Sequence, residues 1–268
     1  MVVGMSNVFT LKKENTQTFL EYQLRYYNDL YTGIIDIRPR VVVDQQNILH
    51  HILLLGDLFE FPANPPKVLS IISLELSFLV QEWLGFMLCN YVGAYSAASR
   101  TLRWIYESTL AATMALINPT LLLGKPSKQS LTESQFRTWL WKYDNGAVHF
   151  RRKESLNAIG LPLREQLRYN GLFSMLCKYS HISAKHFTRP EPTPDLVFNL
   201  EDFDTVSRYA YRTVDLAFFC IIKSVVSHWL SDDVRGFFQS YLDWFSARQP
   251  FAVRRDKLPL IVRLLEEI

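Results

Sequence analysis

An all-α fold is predicted by three observations. Apolar residues recur at helical spacing over most of the chain. Val/Ile/Thr alternation bounded by tight Asn-Gly or Asp-Gly turns, the signature of hairpins, is almost missing. Proline-rich punctuation falls between the periodic stretches rather than inside them. The predicted architecture is an up-and-down helical bundle with additional flanking helices, one domain over residues 1–268. Within it, sub-lobes are expected at 1–65 (N-terminal helices), 66–230 (core bundle) and 231–268 (C-terminal helices).

Helices are expected at about 14–30, 40–60, 66–90, 92–118, 132–152, 163–184, 202–230, 232–247 and 257–267, with RVVVD near residue 40 open to a strand reading. FPANPPK places proline near a first turn of the third helix, INPTLLLGKPSK closes the fourth, and TRPEPTPDL stops the sixth. Thr132 followed by Gln135 predicts a reciprocal cap: the Thr oxygen accepts a backbone N–H and the Gln side chain reaches back. Segments 119–130 and 188–200 are the expected exposed connections.

An apolar fraction of 49% over 268 residues supplies a substantial core, and 21% charged residues lie far from a disordered balance. A net charge of +3 is too small to imply nucleic acid or a membrane by itself. Cys89, Cys177 and Cys220 stand apart among apolar neighbours and read as buried free thiols, which points to a reducing cytoplasm. The N-terminal stretch lacks a secretory pattern. LSIISLELSFLVQEWLGFMLCNYVGAY is long enough to raise a transmembrane question, but Glu75, Gln81 and Glu82 interrupt it, so a buried core helix and no membrane partner are expected.

The chemistry-bearing residues lie on two helices. In YSAASRTLRWIYESTLAATMALI, steps of about 100° put Ser96, Ser99, Arg100, Arg103 and Glu107 on one arc. Further along, Leu110 and Met114 return to that arc, so the second half of this helix should be buried. Small Ser residues let a ligand approach, and Arg offers a planar fork suited to carboxylate or phosphate. Arg103 and Glu107 at i, i+4 are equally able to pair only with each other.

The second helix ends in CKYSHISAKHF. Lys178, His181 and Lys185 share one face there, and Tyr179, Ser183 and His186 another. Cys177 and His181 make half a zinc site, yet no second pair accompanies them, so neither a metal nor any other cofactor is expected. His181 is a candidate acid/base or phosphate-facing donor, assisted by Lys178 or Ser180, because imidazole titrates near neutrality.

The basic runs RRKES and VRRDK and the interleaved RYAYR have the composition of phosphate tracking. For the last, Asp204, Arg208 and Arg212 at successive i, i+4 positions with Asp215 close by predict an exposed ion-pair ladder instead. His50 and His51 are adjacent and are expected to point to different sides of their helix. No Gly-rich phosphate loop argues for nucleotide hydrolysis.

The order of a small-residue run, LRWIYES and then a helix ending in YSHIS resembles HEPN-like and abortive-infection-type helical families over about residues 91–190. That resemblance implies a dimerising helical bundle whose polar pocket holds Arg103, Glu107, Ser180 and His181. HEPN nucleases carry Arg-x(4–6)-His on one helix; this chain offers only Lys at that spacing, Lys223 to His228 and Lys142 to His149.

Two functional expectations follow. In the first, a cytoplasmic HEPN-like protein binds a nucleotide or RNA phosphate through Arg100, Arg103, Glu107, Lys178, Ser180, His181 and His186, with weak metal-independent ribonuclease action. There Arg103 would stabilise negative charge, His181 would transfer the proton and Glu107 would orient the Arg. In the second, the chain is a non-catalytic helical interaction module, a homodimer, and the same residues only fix helix packing.

Overall fold

A computed structural model describes residues 28–29, 31–60, 66–180, 199–245 and 253–268. Among these residues every regular element is helical and none is a strand. After a helical stretch at 31–37, the elements are α1 (Pro39–Glu60), a 3₁₀ turn (Lys67–Leu69), α2 (Ser70–Tyr91), α3 (Tyr95–Ile117), α4 (Thr120–Leu123) and α5 (Glu133–Asp144). Then follow α6 (Arg152–Ala158), α7 (Leu163–Ser180), α8 (Leu200–His228), α9 (Asp232–Asp243) and α10 (Pro259–Glu267). The all-α expectation holds. RVVVD is part of α1, because Pro39 is tolerated at a first helical position and Val42, Gln45 and Ile48 then fall at helical spacing on the buried side.

α3 is the axis of the molecule. It packs against α2, α7 and α8, and its residues 105–116 are buried without exception, as its return to apolar text predicts. α8, 29 residues long, carries a core face that includes Phe203, Val214, Phe218, Ile222 and Val225, with Asn199 capping its start by accepting the N–H of Glu201 and Asp202. α1 packs on α2, and α10 on α8 and α9. The stretch Lys67–Tyr91 is long and apolar enough by composition to cross a membrane; here Glu75 lies inside the protein, against α3.

Three expectations need correction. The helix expected over 132–152 breaks after Asp144. Its start is the predicted cap, with Thr132 and Gln135 bonded reciprocally. Its end is an Asn145-Gly146 turn in which Gly146 takes φ +70°, and the N–H groups of Gly146 and Ala147 bond back to Tyr143 and Lys142. The cysteines are free, but only Cys220 is fully buried; Cys89 and Cys177 are half-buried. His50 and His51, though adjacent, both meet the aromatic end of α9: His50 lies 5.4 Å from the Trp244 ring and His51 4.9 Å from Phe245, with Nδ1 of His51 3.0 Å from the Tyr241 hydroxyl. Two positions 100° apart can each touch one facing helix.

Of the expected connections, 119–130 contains the single-turn α4, and 188–198 lies outside the described residues.

Candidate functional site

The polar arc of α3 faces the C-terminal half of α7. A contact links their ends, the Ser96 hydroxyl donating to the Ser180 carbonyl (3.4 Å), while the Ser180 hydroxyl bonds within its own helix to the Cys177 carbonyl (3.0 Å). Ser99 is fully buried, and its hydroxyl has no partner. Arg100 and Lys178 are exposed at the margin. His181 and His186 lie outside the described residues.

One turn further along α3, Arg103 and Glu107 pair, Nε to Oε2 at 3.1 Å, with the Arg side chain 33% exposed and the Glu side chain 8%. The local pairing read from the sequence is therefore real. It is also embedded in a cluster that sequence spacing does not reveal. The Arg103 guanidinium carbon stands 5.3 Å from the Phe173 ring centroid, and the Arg152 guanidinium carbon stands 3.5 Å from the same centroid. Phe173 comes from α7 and Arg152 from the first turn of α6, so three helices converge.

Two cations sharing one aromatic ring set the electrostatics. Glu107 pairs with Arg103, whereas among the described residues Arg152 makes no ion pair, and its Nε is shielded from solvent without an acceptor there. An aromatic face attracts a guanidinium by about 0.5–2 kcal/mol, which helps hold Arg152 in place but leaves its charge uncompensated. The surrounding titratable groups feel both signs. Burial pushes the Tyr143 hydroxyl pKa up, and the neighbouring Glu107 raises it further. Burial also raises the Cys177 thiol, while Arg103 and Arg152 pull it down. A thiol raised in this way is a poor nucleophile at neutrality.

The ion-pair ladder expected along α8 does not form. Asp204 instead accepts two hydrogen bonds from Arg38, at 3.0 Å from Nε and 2.9 Å from the terminal nitrogen, so α8 is tied to the start of α1. Arg208 turns to the Thr205 hydroxyl at 3.0 Å. Asp215 is buried and accepts the backbone N–H groups of Leu260 and Ile261 at the start of α10. The Lys223-to-His228 spacing is equally local: Nδ1 of His228 lies 3.0 Å from the Ser224 carbonyl of its own helix, and His149 is exposed.

The residues missed by sequence reasoning are Arg152, Phe173 and Tyr143. Arg152 sits in the RRKES run, which marks a basic surface, but nothing local says that its helix folds back onto α7. No family profile, no curated protein and no solved structure matches the chain.

Proposed function

We propose that the chain binds a phosphate-bearing ligand, a nucleotide or an RNA phosphate, where α3, α6 and α7 meet, in the manner of the HEPN-like families it resembles. One observation carries this reading: Arg103 and Arg152 crowd a single ring, and only one of them has a carboxylate. Like charges held this close repel, and a buried N–H without an acceptor costs about 1–3 kcal/mol. A phosphate oxygen arriving at Arg152 relieves the repulsion at once, and Arg103, held in orientation by Glu107, adds a second fork. Arg100 and Lys178 at the margin extend the positive field toward the rest of a polyanion. Cleavage of RNA needs a proton-transferring group beside the phosphate, and His181, outside the described residues, is the one the resemblance offers.

The test is thermal unfolding of the purified chain with nucleotides and mixed short RNA. A ligand that binds raises the midpoint, and Arg152→Ala, which breaks no ion pair, removes the rise while leaving the ligand-free midpoint within a few degrees. RNA incubated with the parent and with His181→Ala reports cleavage separately. A midpoint indifferent to every nucleotide and RNA, or an equal rise in Arg152→Ala, would overturn the proposal.

A second reading, the non-catalytic homodimerising module, is favoured by the outer face of α2, where Leu84 and Leu88, one turn apart, are 47% and 66% exposed. Light scattering of the parent and of Leu84→Glu/Leu88→Glu distinguishes a dimer built on that face from a monomer.

A further inference from the structure

A cavity of about 630 Å³ opens where α1, the N-terminal half of α8 and the turn before α10 come together. Its size is that of a small-molecule site, typically about 300–1,000 Å³. Its charges follow from the Arg38–Asp204 pair. Because Arg38 takes both oxygens of Asp204, the carboxylate one turn before Arg208 is no longer free for it, and among the described residues Arg208 makes no ion pair. Lys257, on the opposite wall, makes none either. Its ammonium stands 4.7 Å from the centroid of Tyr211, and Asp44 acts on it only at longer range. Glu201 lies exposed at the rim. Among the lining groups, Arg38 and Asp204 cancel, and Arg208 with Lys257 outweighs Glu201 by one cation.

The floor is polar and under-satisfied. Ser207 lines the cavity, and its oxygen accepts from the Gln45 side-chain amide at 3.0 Å and the Asn90 side-chain amide at 3.1 Å. With both lone pairs engaged, that hydroxyl has only its proton left to offer. Behind it, Gln45 and Asn90 are fully buried, and the carbonyl oxygen of each side chain has no donor among the described residues. Exchanging O and N in either amide moves the vacancy without filling it. Buried polar atoms without partners are uncommon in folded proteins and mark places where a further polar group belongs.

We infer that this cavity is a binding site for a small molecule bearing an oxyanion, a carboxylate or a phosphate, held between Arg208 and Lys257 with its polar body toward Ser207. The planar fork of Arg208 matches two oxygens of such a group, and Lys257 adds a point charge on the other side. One anionic group neutralises the excess cation. A neutral ligand leaves the excess cation uncompensated, and a cationic one meets its repulsion. The site is separate from the one on α3, α6 and α7 and stands whether or not that reading holds.

The experiment is thermal unfolding in the Arg152→Ala background, which silences the first site, with millimolar inorganic phosphate or acetate added against chloride at matched ionic strength. Phosphate or acetate is expected to raise the midpoint by several degrees, and the added changes Arg208→Gln and Lys257→Gln to abolish the rise. A response to phosphate alone assigns a phosphorylated ligand, and a response to acetate alone a carboxylic acid. If the added changes cost the chain its helical circular dichroism, Arg208→Gln alone, at an exposed position, carries the same test. No rise with either anion, or a rise that survives loss of both cations, overturns the inference.

Discussion

At the scale of single residues, Glu75 is the most consequential buried group. It sits on α2, 1% exposed, with Oε1 accepting the hydroxyls of Ser108 (2.6 Å) and Thr109 (2.9 Å) from α3 and Oε2 left without a partner. Burial pushes its carboxyl up to about 7, although the two hydroxyls pull the other way. A folded-state value above the unfolded one means that the folded protein binds the proton more tightly. The associated stability is therefore complete below about pH 4.5 and is lost as pH rises through about 7. The shift from 4.5 to about 7 corresponds to ~3 kcal/mol. Glu75→Gln, neutral at every pH and still able to accept from Ser108 and Thr109, should be more stable than the parent at pH 8, with the gap closing by pH 4.5. Urea unfolding at the two pH values measures this; a gap independent of pH would show that Glu75 does not titrate across that range. The same residue serves the sequence reading in another way. A carboxyl that speaks against a bilayer core is tolerated in a protein core because two hydroxyls from the next helix meet it, and those partners, 33 and 34 positions away, cannot be seen from α2 alone.

At the scale of elements, what was legible is what is local. The Thr132–Gln135 cap, the burial of the second half of α3 and the Arg103–Glu107 pair each depend on neighbours within four residues, and each stands as read. The break after Asp144 also has a local sign in Asn145-Gly146, where Gly146 takes φ +70°. The docking of α10 had no such sign. Its first turn carries no acidic residue and no side-chain cap of its own. The acceptor is supplied instead by Asp215 of α8, which takes Leu260 N–H at 3.0 Å, Ile261 N–H at 3.1 Å and the Tyr169 hydroxyl at 3.2 Å. Burial raises this carboxyl to about 7, with the three donors opposing. A helix of nine residues is too short to persist without packing, so this remote cap should govern its local stability. Asp215→Ala leaves two buried N–H groups and a hydroxyl without an acceptor. Above about pH 7, where the carboxylate is ionised, hydrogen bonds to this charged group contribute about 1.5–3 kcal/mol, which translates to roughly 10- to 100-fold faster amide exchange at Leu260 and Ile261 at pH 8. Exchange in the middle of α3 should change far less. Equal acceleration in both helices would mean that α10 opens only with the whole molecule.

At the scale of the whole molecule, the same division explains why Arg103 and Glu107 could be named from sequence while Arg152 and Phe173 could not: the first pair shares a helix, and the second meets only once α6 folds back onto α7. The attachment of α1 to the bundle is likewise wholly tertiary. It includes the Arg38–Asp204 pair, in which both side chains are 35% exposed and which solvent therefore screens. It also includes a fully buried junction in which Ser207 of α8 accepts from Gln45 of α1 and Asn90 of α2, while Trp83 of α2 donates to the Gln45 carbonyl at 2.9 Å. The Ser207 oxygen thus joins three helices. Ser207→Ala removes it, and alanine offers neither a replacement acceptor nor room for both amides to reach another. Two buried donors then stand unpaired, a loss of ~2–4 kcal/mol in total. In urea the midpoint should fall with the slope unchanged, because no less surface is exposed on unfolding. If α1 separates first, far-UV circular dichroism should report two transitions in the variant where the parent shows one, since the helix most dependent on this junction unfolds ahead of the axis formed by α3 and α8. An unfolding free energy within about 0.5 kcal/mol of the parent would mean that Gln45 and Asn90 re-pair without Ser207, and that the apolar packing of α1 on α2 alone holds α1 in the cooperative unit.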